Sequence, residues 1–116
     1  MIRLLLTCIA LSTVLLTRAQ APSFATTLDS GKQEFKTLLN DEFPDYSKAH
    51  RLFRQAVSLD STNAEGHYFL GYVLERINMQ YGMDSVGRPL SEEASKEFET
   101  VIRLQPHYTG EVLMLD

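Results

Sequence analysis

The sequence contains no tryptophan and a single cysteine among its 116 residues. That cysteine, Cys8, lies inside an apolar segment near the amino terminus. The chain beyond this segment can therefore form no disulfide, no thiol nucleophile and no cysteine metal site. A domain of this size must then be stabilised by helix or sheet packing, or by assembly with a larger structure.

Basic residues are also scarce, with 11 lysines and arginines against 15 acidic residues and a formal net charge of -4. Phosphate binding needs a basic surface, so this balance argues against nucleic acid as the main partner. A content of 44% hydrophobic and 22% charged residues is typical of one small soluble domain. The length excludes a typical two-domain enzyme, and the composition excludes a disordered chain or a membrane bundle.

A long apolar run occurs only at the amino terminus. Residues 1–3 form a short positive start, residues 4–16 are mostly apolar, and small residues follow at 17–21. This three-part pattern is typical of a secretory signal peptide. A membrane-spanning helix needs roughly 20 apolar residues, which is longer than this run. We expect cleavage after Ala19, a signal peptide over 1–19, and a periplasmic or secreted protein without a stable membrane anchor.

One segment of the chain recurs 45 residues later. The paired positions are apolar or small, and they match Ala49 with Ala94, Phe53 with Phe98, Val57 with Ile102, and Leu59 with Leu104. Self-similarity of this kind indicates a repeated supersecondary unit, which buries its apolar face only against a neighbour.

The recurring residues resemble the tetratricopeptide repeat (TPR), a pair of antiparallel helices of about 34 residues. Leu70 and Gly71 match the leucine–glycine pair of its first helix. The small, aromatic and proline positions that follow are matched by Ala49, Phe53, Ala56, Ala94, Phe98 and Pro106. The resemblance implies an all-α fold, an antiparallel helix-hairpin solenoid of about two and a half repeats.

Apolar spacing and capping residues predict the same helices without the family. Five helices are expected. The first runs from Asp29 to Glu42, and the second from a cap at Asp45 to about Leu59. The third follows a cap at Asn63, the fourth starts at Ser91, and the fifth runs from Tyr108 to Asp116. Residues 20–28 are expected to be a short flexible lead, and 29–116 the repeat domain. The 45-residue spacing of the self-match is longer than the repeat of about 34 residues, which predicts an inserted loop at 79–90. This loop is either a partner contact or a tolerated surface insertion.

The predicted fifth helix has no second helix to cover it. Its apolar residues, Val112, Leu113 and Leu115, are candidate docking residues. Solenoids usually need about three repeats and a polar cap. We therefore expect self-association, a partner, or further repeats in a longer chain.

Residue patterns for catalysis and metal binding are absent from the sequence. His50, His67 and His107 belong to three different segments without the spacing of metal ligands. Gly66 and Gly71 have the spacing of a phosphate-binding loop, but the required lysine and hydroxyl residue do not follow. No catalytic triad can be placed. We expect no enzymatic activity, no metal and no cofactor.

The resemblance implies a groove lined by the first helix of each hairpin, which holds a peptide or partner helix. The residues that this places in the groove are Glu65, Tyr68, Tyr72, Glu75 and Arg76. Tyrosines offer a large contact area at low ordering cost. The alternative is that both tyrosines only pack against the neighbouring hairpin.

The sequence therefore predicts an exported, non-catalytic scaffold that binds a protein or peptide. Two alternatives stay open at this point. The chain is a structural subunit that docks through its last helix, or it is the amino-terminal part of a larger multidomain protein.

Overall fold

The computed structural model describes residues 21–81 and 87–109, with the backbone alone at 87–89. This part of the chain is all-α and contains four helices and no strand. We name them α1 (Phe24–Leu38), α2 (Ser47–Leu59), α3 (Ala64–Tyr81) and α4 (Gly87–Leu104). Helices that follow one another in the sequence pack together, α1 on α2, α2 on α3 and α3 on α4.

Helix α1 begins earlier than the predicted start at Asp29. The Ser23 side chain accepts a hydrogen bond from the Thr26 backbone N–H at 3.2 Å, and Thr26 Oγ1 accepts one from the Ser23 N–H at 3.1 Å. This capping box satisfies two backbone donors that a helix start leaves without a partner. Residues 24–28, predicted as part of a flexible lead, therefore belong to the helix, and Leu28 is buried in the core.

Of the two caps predicted next, Asn63 bonds the start of α3 as expected, whereas the N-cap of α2 is Tyr46, without a side-chain capping bond, and not Asp45. Asp45 Oδ1 accepts a hydrogen bond from the Ser47 N–H at 3.0 Å, one residue before the N-cap position of α2. Asn63 Oδ1 likewise accepts one from the Glu65 N–H at 3.0 Å at the start of α3. Short polar side chains here satisfy N–H groups that have no partner inside the helix.

Both ends of the segment predicted as a loop, 79–90, are helical. Helix α3 continues through Tyr81, and α4 begins at Gly87, ahead of the predicted start at Ser91. Pro89 does not prevent this early start. It lies in the first turn, where its missing N–H would have no intrahelical partner.

Several predictions concern residues outside the described part of the chain. They are the signal peptide at 1–19, the centre of the loop at 82–86, and the docking residues Val112, Leu113 and Leu115. Of the predicted fifth helix only Tyr108 and Thr109 are described, and neither is helical.

Each helical pair is held together by a phenylalanine ring placed against a glycine. A Cβ atom added to Gly31 would lie 2.6 Å from Phe53 Cε1, and one added to Gly71 would lie 2.9 Å from Phe98 Cε1. Phe53 and Phe98 are the two phenylalanines related by the 45-residue self-match. The same contact therefore joins α1 to α2 and α3 to α4.

The surroundings of the two glycines correspond as well. The two polar residues buried in the described part of the chain are Thr27 and His67, and each precedes its glycine by four positions. One turn before each phenylalanine lies a buried alanine, Ala49 or Ala94. The remaining signature positions Ala56 and Leu70 are buried, while Pro106 is exposed after α4.

The glycine contacts predict the effect of adding one methyl group. Gly31→Ala and Gly71→Ala should each lower the free energy of unfolding by about 1–3 kcal/mol, the usual cost of overpacking. Helix propensity alone predicts the opposite sign, a gain of about 1 kcal/mol. Urea unfolding followed by circular dichroism measures the difference.

Gly66→Ala is the comparison for Gly31→Ala and should lose less stability, because its Cβ would lie 3.0 Å from the half-buried Phe24 ring rather than 2.6 Å from the buried Phe53 ring. Phe53→Leu should relieve part of the loss in the Gly31→Ala protein. Equal stability of Gly31→Ala and the unaltered protein would contradict the close contact.

Candidate binding surface

Side chains of α1 and α3 meet along one face of the molecule. The Lys32 ammonium pairs with the Glu65 carboxylate, and it lies 4.9 Å from the centroid of the Phe69 ring. Both charged side chains are partly shielded from solvent. An ion pair supported by an aromatic ring connects the two helices at this point. We call the surface formed by Lys32, Glu65, Tyr68, Tyr72, Glu75 and Arg76 the α1–α3 face.

Tyr68 lies among aromatic rings. Its ring centroid is 6.3 Å from that of Tyr72, 6.2 Å from that of Phe98 and 5.3 Å from that of Tyr108. Burial raises the pKa of the Tyr68 hydroxyl, and the nearby Tyr72 and Glu75 act in the same direction. The hydroxyl therefore keeps its proton at neutral pH and can donate a hydrogen bond.

Tyr72 is fixed from two sides. Its ring lies nearly perpendicular to that of the buried Phe35 of α1, with centroids 5.5 Å apart. The Arg76 guanidinium lies 5.2 Å from the Tyr72 ring centroid, and Arg76 Nη2 donates a hydrogen bond to the Tyr72 hydroxyl at 2.6 Å. A ring held in this way loses little conformational freedom when a ligand packs on it.

The structure places all five predicted groove residues on α3. Glu75 is exposed, whereas Glu65, Tyr68, Tyr72 and Arg76 are half-buried. Both tyrosines pack against neighbouring helices, as the alternative interpretation required. Both rings nevertheless keep part of their surface exposed, so ligand contact remains a prediction.

Lys32 was missed by the sequence patterns, and it belongs to the α1–α3 face as much as Glu65 does. The leucine–glycine pair that marks the first helix of the repeat is incomplete in α1, because α1 has Ser30–Gly31 where α3 has Leu70–Gly71. The glycine alone marks the corresponding turn of the two helices. If Gly31 is aligned with Gly71, Lys32 falls at the repeat position that corresponds to Tyr72.

Two of the three histidines, His67 and His50, have local partners, whereas His107 is exposed after α4. His67 Nδ1 lies 2.5 Å from Glu97 Oε2, and its Nε2 lies 2.7 Å from the Ser61 carbonyl oxygen. The buried imidazole thus connects α4 to the turn between α2 and α3, and neither nitrogen is available to a ligand.

His50 lies beside Arg54, whose Nη2 is 3.0 Å from His50 Nε2 and also pairs with Glu93 at 2.6 Å. Burial lowers the pKa of His50, the Arg54 charge lowers it further, and Glu93 opposes both.

Residues 21–81 and 90–109 bring together no group of three metal-ligating side chains. The ion pairs of this region connect helices, which is a structural role.

Within the part of the chain that the structure describes, no helix is both long and apolar enough to cross a bilayer. No family model, no curated protein and no solved structure matches the chain. Its function must therefore be inferred from its own residues.

Proposed function

We propose that this protein is a non-catalytic scaffold of the TPR type, which binds a protein or peptide outside the cytoplasm. The observation that carries the proposal is the α1–α3 face, where Tyr68, Tyr72 and Arg76 are held in place by packing before any ligand arrives.

The repeated glycine–phenylalanine contact supports a TPR-like arrangement of the helices. In the family, small residues of the first helix allow the second helix to cross closely. Gly31 under Phe53 and Gly71 under Phe98 are contacts of this kind. Ala49 and Ala94 occupy the same position in the second helix of each pair and are both buried.

The chemistry of the α1–α3 face supports binding. Aromatic rings, an arginine and two carboxylates give a ligand apolar area together with both signs of charge. Tyrosine and arginine are enriched among residues that dominate the energy of protein interfaces. Because the rings are already ordered, less conformational entropy is lost on binding. Action outside the cytoplasm is supported by the signal-peptide pattern of residues 1–19.

The proposal predicts which substitutions weaken ligand capture. A peptide selected from a random linear library on the immobilised protein should bind Tyr68→Ala and Tyr72→Ala at least about tenfold more weakly, as for central interface tyrosines. Glu75→Lys should change the affinity without affecting folding, because this side chain is exposed. Fluorescence anisotropy measures the affinities, and thermal melts confirm that each variant is folded.

Tyr81→Ala is the matched control, since this tyrosine ends α3 and is 54% exposed. Its affinity should equal that of the unaltered protein. Selected peptides that bind equally well to Tyr68→Ala, Tyr72→Ala and Tyr81→Ala would contradict the proposal.

An assembly role is favoured by one observation, the apolar surface near the end of α4. Ile102 is 64% exposed and Leu104 is partly exposed, and the predicted docking residues follow them in the sequence. Under this alternative, Ile102→Asp should lower the association state measured by analytical ultracentrifugation. A single monomeric species for both proteins would remove the alternative.

A further inference from the structure

A cleft lies where the α1–α2 connection meets the last turns of α3. Its volume is about 440 Å³. The connection contributes Phe43, Pro44 and Tyr46, and α3 contributes Arg76, Met79 and Gln80. Glu42 adds a carboxylate to the lining. We call this the loop cleft. It is separate from the tyrosines of the α1–α3 face, although Arg76 borders both.

The connection is held in position against the helices. Gln80 Nε2 donates a hydrogen bond to the Pro44 carbonyl oxygen at 2.7 Å. Tyr46 is buried and stacks on Phe35, with ring centroids 5.8 Å apart. The Asp45 carboxylate accepts the Ser47 N–H at the start of α2. These contacts fix the backbone of the connection at 44–47 against α1, α2 and α3.

Two apolar side chains of the cleft face solvent. Phe43 is 87% exposed and Met79 is 71% exposed, which makes them the most exposed large apolar residues in the described part of the chain. Exposure of a phenylalanine on a fixed loop is unfavourable in water. Contiguous exposed apolar surface beside a cleft is typical of an interaction site. Methionine adapts its shape to different apolar ligands.

The loop that carries Phe43 is acidic. Asp41, Glu42 and Asp45 are all exposed, and none forms a salt bridge within the described residues. Hydrogen bonds from Ser47 lower the pKa of Asp45, so this carboxylate is ionised at neutral pH. Arg76 is the cation of the lining, and its guanidinium is already bonded to the Tyr72 hydroxyl. A ligand thus meets a cleft lined by both polar and apolar groups, with three carboxylates on the loop and the single positive charge of Arg76 on α3.

We propose that the loop cleft binds a basic peptide segment with one bulky apolar residue. The apolar side chain enters between Phe43 and Met79, and flanking lysines or arginines meet Asp41, Glu42 and Asp45. Charge complementarity selects this occupant, because an acidic segment would be repelled by the loop and by the net charge of -4.

The test uses a fluorescein-labelled peptide with a central leucine and two lysines on each side. Its anisotropy should rise on addition of the protein at moderate salt. Phe43→Ala should weaken binding at least about tenfold, as for an interface anchor. The double variant Asp41→Asn, Glu42→Gln should weaken binding and reduce its salt dependence, because exposed charges are screened by salt. Replacing the leucine of the peptide with serine should also weaken binding.

Leu59→Ala is the control, since it removes an exposed apolar side chain from the end of α2, away from the loop cleft. Its affinity for the peptide should not change. Absence of binding, equal binding of the serine peptide, or unchanged binding by Phe43→Ala would each overturn the inference. A loss that Tyr68→Ala causes and Phe43→Ala does not would also overturn it, but would support the proposed function of the α1–α3 face.

Discussion

The packing of a phenylalanine ring directly on a glycine backbone is the contact on which the rest of the structure depends. It occurs twice, with Phe53 on Gly31 and Phe98 on Gly71. A ring can approach a helix backbone this closely only where no Cβ atom intervenes. Interiors are close-packed, so the depth of this contact determines how near the two helices of each pair lie.

The binding surface follows from this packing. With Phe53 seated on Gly31, the next residue of α1, Lys32, reaches Glu65 and the Phe69 ring of α3. Phe53 also stacks on Phe69, with centroids 5.5 Å apart. The same aromatic layer therefore supports both the core and the α1–α3 face. Substitutions in that layer should affect stability and ligand capture together.

Much of the second helix of each pair could be predicted, because the 45-residue self-match identified Ala49, Phe53 and their counterparts, and these side chains are packed as expected. The first helix of the first pair, α1, was harder to predict from the sequence. Its cap at Ser23 precedes the apolar periodicity, and Ser30 replaces the leucine that would have marked Gly31. The loop at 79–90 was predicted too long, since its glycines and proline indicated turns although proline is tolerated in a first helical turn. The loop cleft depends on a tertiary contact between Gln80 and Pro44, which no local pattern contains.

Solution NMR of the isotopically labelled protein can detect whether the same type of glycine–phenylalanine contact occurs in both helical pairs. We expect nuclear Overhauser effects from the α-protons of Gly31 to the Phe53 ring, and from those of Gly71 to the Phe98 ring. Both signals should be strong, because a Cβ atom on either glycine would lie only 2.6 or 2.9 Å from the nearest ring atom. Absence of either set of signals in the folded protein would show that the corresponding ring does not pack on its glycine.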